Sequence, residues 1–177
     1  MGSAERPASR MKFFSRRRIG AGEIQALYQQ HGPGLVLYAC SLLGQKHAAE
    51  DVLQQVFMKL LEQNSLPEDP KPYLYRAVRN AALNLMRNEN KNVELGDVEL
   101  WFEDRGLDAG TQMTLESALM QVPAEQRQVL VMHVWGGLTF EEIGGVLAVS
   151  ANTAASRYRY ALQKLRATLQ PEDPLCR

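Results

Sequence analysis

Leu138-Thr-Phe-Glu-Glu-Ile-Gly-Gly-Val-Leu-Ala-Val-Ser-Ala-Asn-Thr-Ala-Ala-Ser-Arg157 is the stretch on which the reading of this chain turns. Thr139 followed three residues later by Glu142 is a capping box, in which each side chain satisfies an exposed amide at a helix start. Phe140, Ile143 and Leu147 recur at helical spacing and give the short helix one buried face. Ala148-Val149 makes a tight turn, with Val149 placed to fill the angle between helices. Ser150 is a second N-cap, and neither Pro nor Gly occurs from there to Gln170. Two capped helices joined so closely form a helix-turn-helix, the arrangement that presents a recognition helix to a DNA major groove.

The second helix divides by face. Ala154, Tyr158, Ala161, Leu162, Leu165 and Leu169 share one side at helical spacing. Asn152, Ser156, Arg159, Gln163 and Arg166 occupy the other, with Thr153, Arg157 and Tyr160 at its edges. Asn and Arg pair with purine edges, and Ser, Thr and Arg hold phosphates. Asn152, Thr153, Ser156, Arg157, Arg159 and Tyr160 are therefore the candidate duplex contacts. Spacing alone fits a solvated amphipathic helix nearly as well; the capped helix and turn ahead of it favour DNA.

Working outward, Pro123 starts a helix carrying Val129, Leu130, Met132, His133 and Val134, which stops at Gly136-Gly137. Leu115, Leu119 and Val122 belong to a helix before it. Residues 91–111 are acidic, with Glu94, Asp97, Glu99, Glu103, Asp104 and Asp108 against Lys91 and Arg105. They read as a flexible linker, Trp101 and Phe102 apart.

Further upstream, Ala48 to Gln63 carries two adjoining apolar rows, Val52, Val56, Leu60 and Leu53, Phe57, Leu61. Asn64 to Pro72 reads as a proline-rich loop. Tyr73 to Met86 is helical again, with Leu74, Ala77, Val78, Ala81 and Leu85 inward. A first helix runs from Ala21 toward Leu43, with Gly32-Pro33-Gly34 expected to interrupt or kink it. Residues 1–20 hold Arg6, Arg10, Lys12, Arg16, Arg17 and Arg18 against Glu5 and read as a flexible basic arm.

The predicted fold is all-α: two small helical domains, residues 21–90 and 112–170, joined by the acidic linker, with a tail at 171–177. The chain has 177 residues, 45% apolar and 23% charged, ordinary for a globular protein. Its formal net charge is zero, but the basic arm and acidic linker cancel, so neutrality does not exclude a nucleic-acid partner. Cys40 and Cys176 are placed unlike a structural disulfide, which points to a reducing compartment. His31, His47 and His133 show no ligand spacing, so no metal or cofactor is expected. No segment is apolar and long enough to enter a membrane, and the expected location is the cytoplasm. No nucleophile–base pair emerges, which argues against an enzyme.

Three blocks in order complete the reading: Ala49-Glu-Asp-Val-Leu-Gln-Gln-Val-Phe57, Tyr73-Leu-Tyr-Arg-Ala-Val-Arg-Asn80, and Pro123 through Arg166. Together they make the chain resemble the extracytoplasmic-function (ECF) group of bacterial sigma factors over about residues 22–170. The resemblance implies a first domain that binds core RNA polymerase and melts a promoter element, and a second that reads the upstream duplex element. It places Asp51, Gln54, Gln55 and Lys59 on the polymerase-binding helix, with Gln55 where an acidic residue is common. It places Lys71, Tyr73, Arg76, Arg79 and Asn80 against melted single-stranded DNA, and Asn64, Ser65 and Glu68 in the loop that captures a flipped base. Aromatic rings stack on bases and cations hold the displaced strand. Tyr75 reads equally as core.

The chain departs from the family pattern twice. Arg87-Asn-Glu-Asn-Lys91 stands where relatives carry a basic run, a gap that the arm at Arg16–Arg18 could fill. Ala155 stands where a basic residue is common. Members are commonly held by an anti-sigma protein, so the resemblance implies that class of partner. The alternative is an autonomous helix-turn-helix regulator acting without polymerase. It would need a dimer interface, and with no dimerisation heptad present the expected free state is a monomer.

Overall fold

The computed structural model describes residues 16–88 and 109–169. In chain order these form β1 (Arg16–Arg18), α1 (Ala21–Leu43), α2 (Lys46–Gln63), β2 (Ser65–Pro67), α3 (Pro70–Asn88), α4 (Ala109–Gln121), α5 (Ala124–Val134), α6 (Phe140–Leu147) and α7 (Ala151–Leu169). The described residues are all-α apart from one two-stranded ribbon. Most of the acidic linker, the first fifteen residues and the tail lie outside the described residues.

α1 to α3 pack as an N-terminal lobe. Leu35, Tyr38, Ala39 and Cys40 of α1, Val52, Leu53 and Leu60 of α2, and Leu74, Tyr75 and Val78 of α3 are all buried. The i, i+3, i+4 spacing of these rows is what places them inside. Tyr75 is 1% exposed and is core. α3 starts earlier than Tyr73 because Pro70 and Pro72 sit in its first turn, where a missing N–H costs nothing. α2 ends at Asn64, which takes a left-handed conformation (φ 48°) and returns its N–H to the Leu60 carbonyl.

α1 runs unbroken through Pro33, where an interruption was expected. The reason is tertiary. A Cβ on Gly34 would stand 2.7 Å from the Tyr75 hydroxyl and 3.3 Å from the Trp135 carbonyl. The glycine thus serves a close approach between helices rather than a turn, and packing on both sides keeps the helix continuous across the proline.

The arm is also more ordered at its end than the composition implied. Arg16–Arg18 pairs antiparallel with Ser65–Pro67, in the register Arg16 opposite Pro67, Arg17 opposite Leu66 and Arg18 opposite Ser65. Ile19 anchors the strand: its side chain is 6% exposed and its N–H donates to the Asn64 carbonyl at 3.1 Å.

α4 to α7 form the C-terminal lobe, and the two lobes touch. α1 packs on α5 and α3 on α6, so one continuous set of buried side chains runs through both.

Candidate nucleic-acid and polymerase interface

The turn between α6 and α7 is built from local chemistry. Glu142 N–H donates to Thr139 Oγ1 at 3.2 Å, and Thr139 N–H donates to Glu142 Oε2 at 2.6 Å, closing the capping box. Ala148 takes the left-handed conformation (φ 57°) that ends α6. Val149 N–H donates to the Gly144 carbonyl at 3.0 Å, and a Cβ on Gly144 would meet the Val149 carbonyl at 2.7 Å, so glycine alone lets the turn close. Ser150 Oγ accepts from Thr153 N–H at 3.0 Å and starts α7.

Beneath this turn His133, Phe140 and Tyr158 interlock. The His133 and Phe140 rings stack at 4.5 Å, and Tyr158 meets His133 edge-on at 4.8 Å. His133 Nδ1 lies 2.8 Å from the Leu138 carbonyl and must carry the proton there, since a carbonyl only accepts. Ala154 and Ala161 of α7 are fully buried and Tyr158, Leu162 and Leu165 half-buried. Leu169, expected on the same inner row, is 40% exposed at the C-terminal end of α7. Val146 joins Ile143 on the buried face of α6.

Asn152, Thr153, Arg159 and Tyr160 are exposed on the outer side of α7, and Ser156 lies beside Arg159, whose guanidinium donates to its hydroxyl at 3.2 Å. Arg157 is different. It forms an ion pair with Glu125 of α5 and is held against its own lobe.

The five residues assigned to melted DNA separate onto two faces of α3. Lys71 Nζ donates to the Gly137 carbonyl at 2.9 Å, Arg76 to the Gly145 carbonyl at 2.6 Å, and Arg79 Nε to Gln128 Oε1 at 3.4 Å. These three cations point at the C-terminal lobe. Tyr73 and Asn80 instead line a small cavity of about 150 Å³ between α2 and α3. That cavity continues, through Lys59, Ala81 and Asn84, into a cleft of about 610 Å³ along the same two helices. Asp51, Gln55 and Lys59 line it, with Asn84 and Asn88 opposite, whereas Gln54 is exposed outside it. Three of the four polymerase candidates and two of the five DNA candidates thus share one polar groove.

Three further residues that join the lobes, Arg127, Tyr38 and Gln128, carried no role in the sequence reading. Arg127 of α5 is 7% exposed, and its Nε donates to the Ser41 carbonyl at 2.8 Å. Its Nη1 donates to the Met120 and Val122 carbonyls at 2.9 and 3.1 Å. These acceptors lie at the C-terminal ends of α1 and α4, where helix dipoles place negative charge. Burial lowers the Arg127 pKa, yet a guanidinium keeps its proton and no acid is needed. Beside it the Tyr38 hydroxyl donates to Gln128 Oε1 at 3.2 Å. Burial also pushes the Tyr38 phenol above its ordinary range, so it remains a donor. The only signal in the sequence was Arg127 lying three and four residues before Leu130 and Val131, on the apolar face of α5.

Comparison with known proteins gives the family. Residues 27–92 match the family described as Sigma-70 region 2, and residues 118–167 match Sigma-70, region 4. The chain is 29% identical over 160 residues to the ECF RNA polymerase sigma factor SigL of Mycobacterium tuberculosis, covering 85% of this chain and 90% of that one. It is 25% identical over 152 residues to the ECF RNA polymerase sigma factor SigM of Bacillus subtilis, covering 81% and 93%. In fold it resembles the sigma factor RpoE solved with the anti-sigma factor NepR from Bartonella quintana: TM-score 0.69, 20% identity, covering 86% of this chain and all of that one. It likewise resembles CnrH in complex with the cytosolic domain of CnrY, with TM-score 0.65, 21% identity, and 87% and 92% coverage. Two sigma-70 regions in order, full-length ECF relatives and a capped helix-turn-helix establish that the chain belongs to the ECF group of the sigma-70 family.

Proposed function

We propose that the protein is an alternative sigma factor acting in the cytoplasm: it binds core RNA polymerase, directs initiation to specific promoters and performs no covalent chemistry itself. The observation that carries the reading is the presence, in one chain, of a polar α2–α3 groove and an outward-facing recognition helix on a capped helix-turn-helix. Asp51, Gln55 and Lys59 meet polymerase in the groove, with Gln54 at its margin. Asn152, Thr153, Ser156, Arg159 and Tyr160 read the upstream duplex element, joined by Arg157 once it leaves Glu125. Tyr73 and Asn80 receive the melted strand, supported by Lys71, Arg76 and Arg79.

Those last three cations are occupied by Gly137, Gly145 and Gln128 when the lobes touch. The closed form is therefore the unbound state, and the lobes separate before promoter melting. Because RpoE was solved with the anti-sigma factor NepR, a protein of that class is the partner we assign to the restrained state. Reconstitution with core polymerase on fragmented genomic DNA tests the reading. Transcripts from a discrete set of start sites, absent with core alone, are expected. Specific duplex binding by the protein alone, with no new start sites, would favour an autonomous regulator.

A further inference from the structure

The end of the basic arm is held against the loop that follows α2. Ile19 is buried, its N–H is bonded to the Asn64 carbonyl, and the β1–β2 ladder sets Arg18 opposite Ser65. Consecutive strand residues face opposite ways, and directly opposed residues share a face. Arg17 is committed to an ion pair with Glu23 of α1. Arg18 is exposed and has no ion-pair or side-chain hydrogen-bond partner among the described residues. The fold therefore fixes one unpaired guanidinium beside Asn64 and Ser65, at a strand whose register cannot slip without exposing Ile19.

A cation at this place meets a local need. The three cations of α3 face the other lobe, and the stretch that begins in the last turn of α3, Arg87-Asn-Glu-Asn-Lys91, is poor in positive charge. The first eighteen residues carry six basic side chains against one acid. We propose that Arg18 contacts a backbone phosphate of the melted promoter strand, next to the nucleotide that meets Asn64 and Ser65, with the β1–β2 ladder as its positioning device. Arg17 positions the strand through Glu23 and does not touch DNA. The partner chemistry is a single-strand phosphate, a point of contact that carries no sequence information itself but sets the register of the bases beside it.

This inference rests on the sigma reading, and its test separates the two. A single-stranded oligonucleotide selected by the wild-type holoenzyme from a random pool is titrated with the wild type, Arg18→Gln, Arg18→Lys and Arg17→Gln over a range of salt. One phosphate contact contributes a slope of about 0.7 in log affinity against log salt. Arg18→Gln is expected to lose about that much slope and to bind several-fold more weakly at low salt. Arg18→Lys should keep the slope, as should Arg17→Gln. An unchanged slope in Arg18→Gln overturns the contact while leaving the function standing. Equal losses in Arg17→Gln and Arg18→Gln overturn the assignment to Arg18, and weaker core polymerase co-elution of Arg18→Gln would give the residue to a protein contact. If the wild-type holoenzyme selects no strand at all, the sigma reading itself fails.

Discussion

Arg127 places a full charge in the interior without an acidic partner among the described residues, balanced by carbonyls at two helix ends. Removing it leaves those buried acceptors unpaired. Arg127→Met, which keeps most of the stem, is expected to lower unfolding free energy by roughly 3 kcal/mol in urea titration. A variant as stable as the wild type would show that water satisfies the carbonyls equally well. His31 gives a pH signature at the same scale. Burial, and then the charge of Lys71, lower its pKa from the ordinary 6.5, with Asp69 opposing. Its folded pKa lies below the unfolded one, so the unfolded chain takes up the proton first. The His31 contribution is intact above the unfolded pKa and is lost as pH falls from there through the folded pKa. His31→Gln should flatten the stability profile as pH falls below about 6.5; a profile of unchanged slope would contradict that placement. Neither residue's role was legible beforehand: Arg127 meets Ser41 from 86 positions away, and no local pattern encodes such a pair.

The elements of the C-terminal lobe behave differently. The capping box, the Ser150 cap and the inner row of α7 are all interactions within a few residues, which is why α6 and α7 could be read from the chain alone. Where an element depended on a distant partner, the reading stopped short. Pro33 predicts a break in α1, but Tyr75 and Trp135 pack at Gly34 and the helix continues; Arg16–Arg18 carries no strand signal of its own and pairs with Ser65–Pro67. The same contrast ranks the candidate contacts on α7. Arg159 faces outward, whereas Arg157 is already paired with Glu125. Arg159→Ala is expected to weaken binding of holoenzyme to duplex promoter DNA roughly ten-fold or more, and Arg157→Ala clearly less. Equal effects in a fluorescence-anisotropy titration would place Arg157 on the DNA, and no effect from either would reject this orientation of the helix.

At the scale of the whole molecule the fold is a closed pair of lobes, latched by Arg127, Tyr38 and Gln128 and lined by the cations we propose for melted DNA. Tyr38→Phe combined with Gln128→Ala removes part of the latch without burying a new charge. It should enlarge the radius of gyration in small-angle scattering and raise the affinity of the free protein for single-stranded DNA. A double variant as compact and as weak in binding as the wild type would show that the latch does not control access. All of this presupposes that the molecule works on polymerase. Co-elution of the purified protein with bacterial core RNA polymerase, beside an Asp51/Gln55/Lys59 triple-alanine variant that keeps its fold by circular dichroism, is the most direct test. The account predicts a one-to-one complex for the wild type and its loss in the variant. A wild type that elutes apart from core polymerase while holding duplex DNA by itself would contradict it.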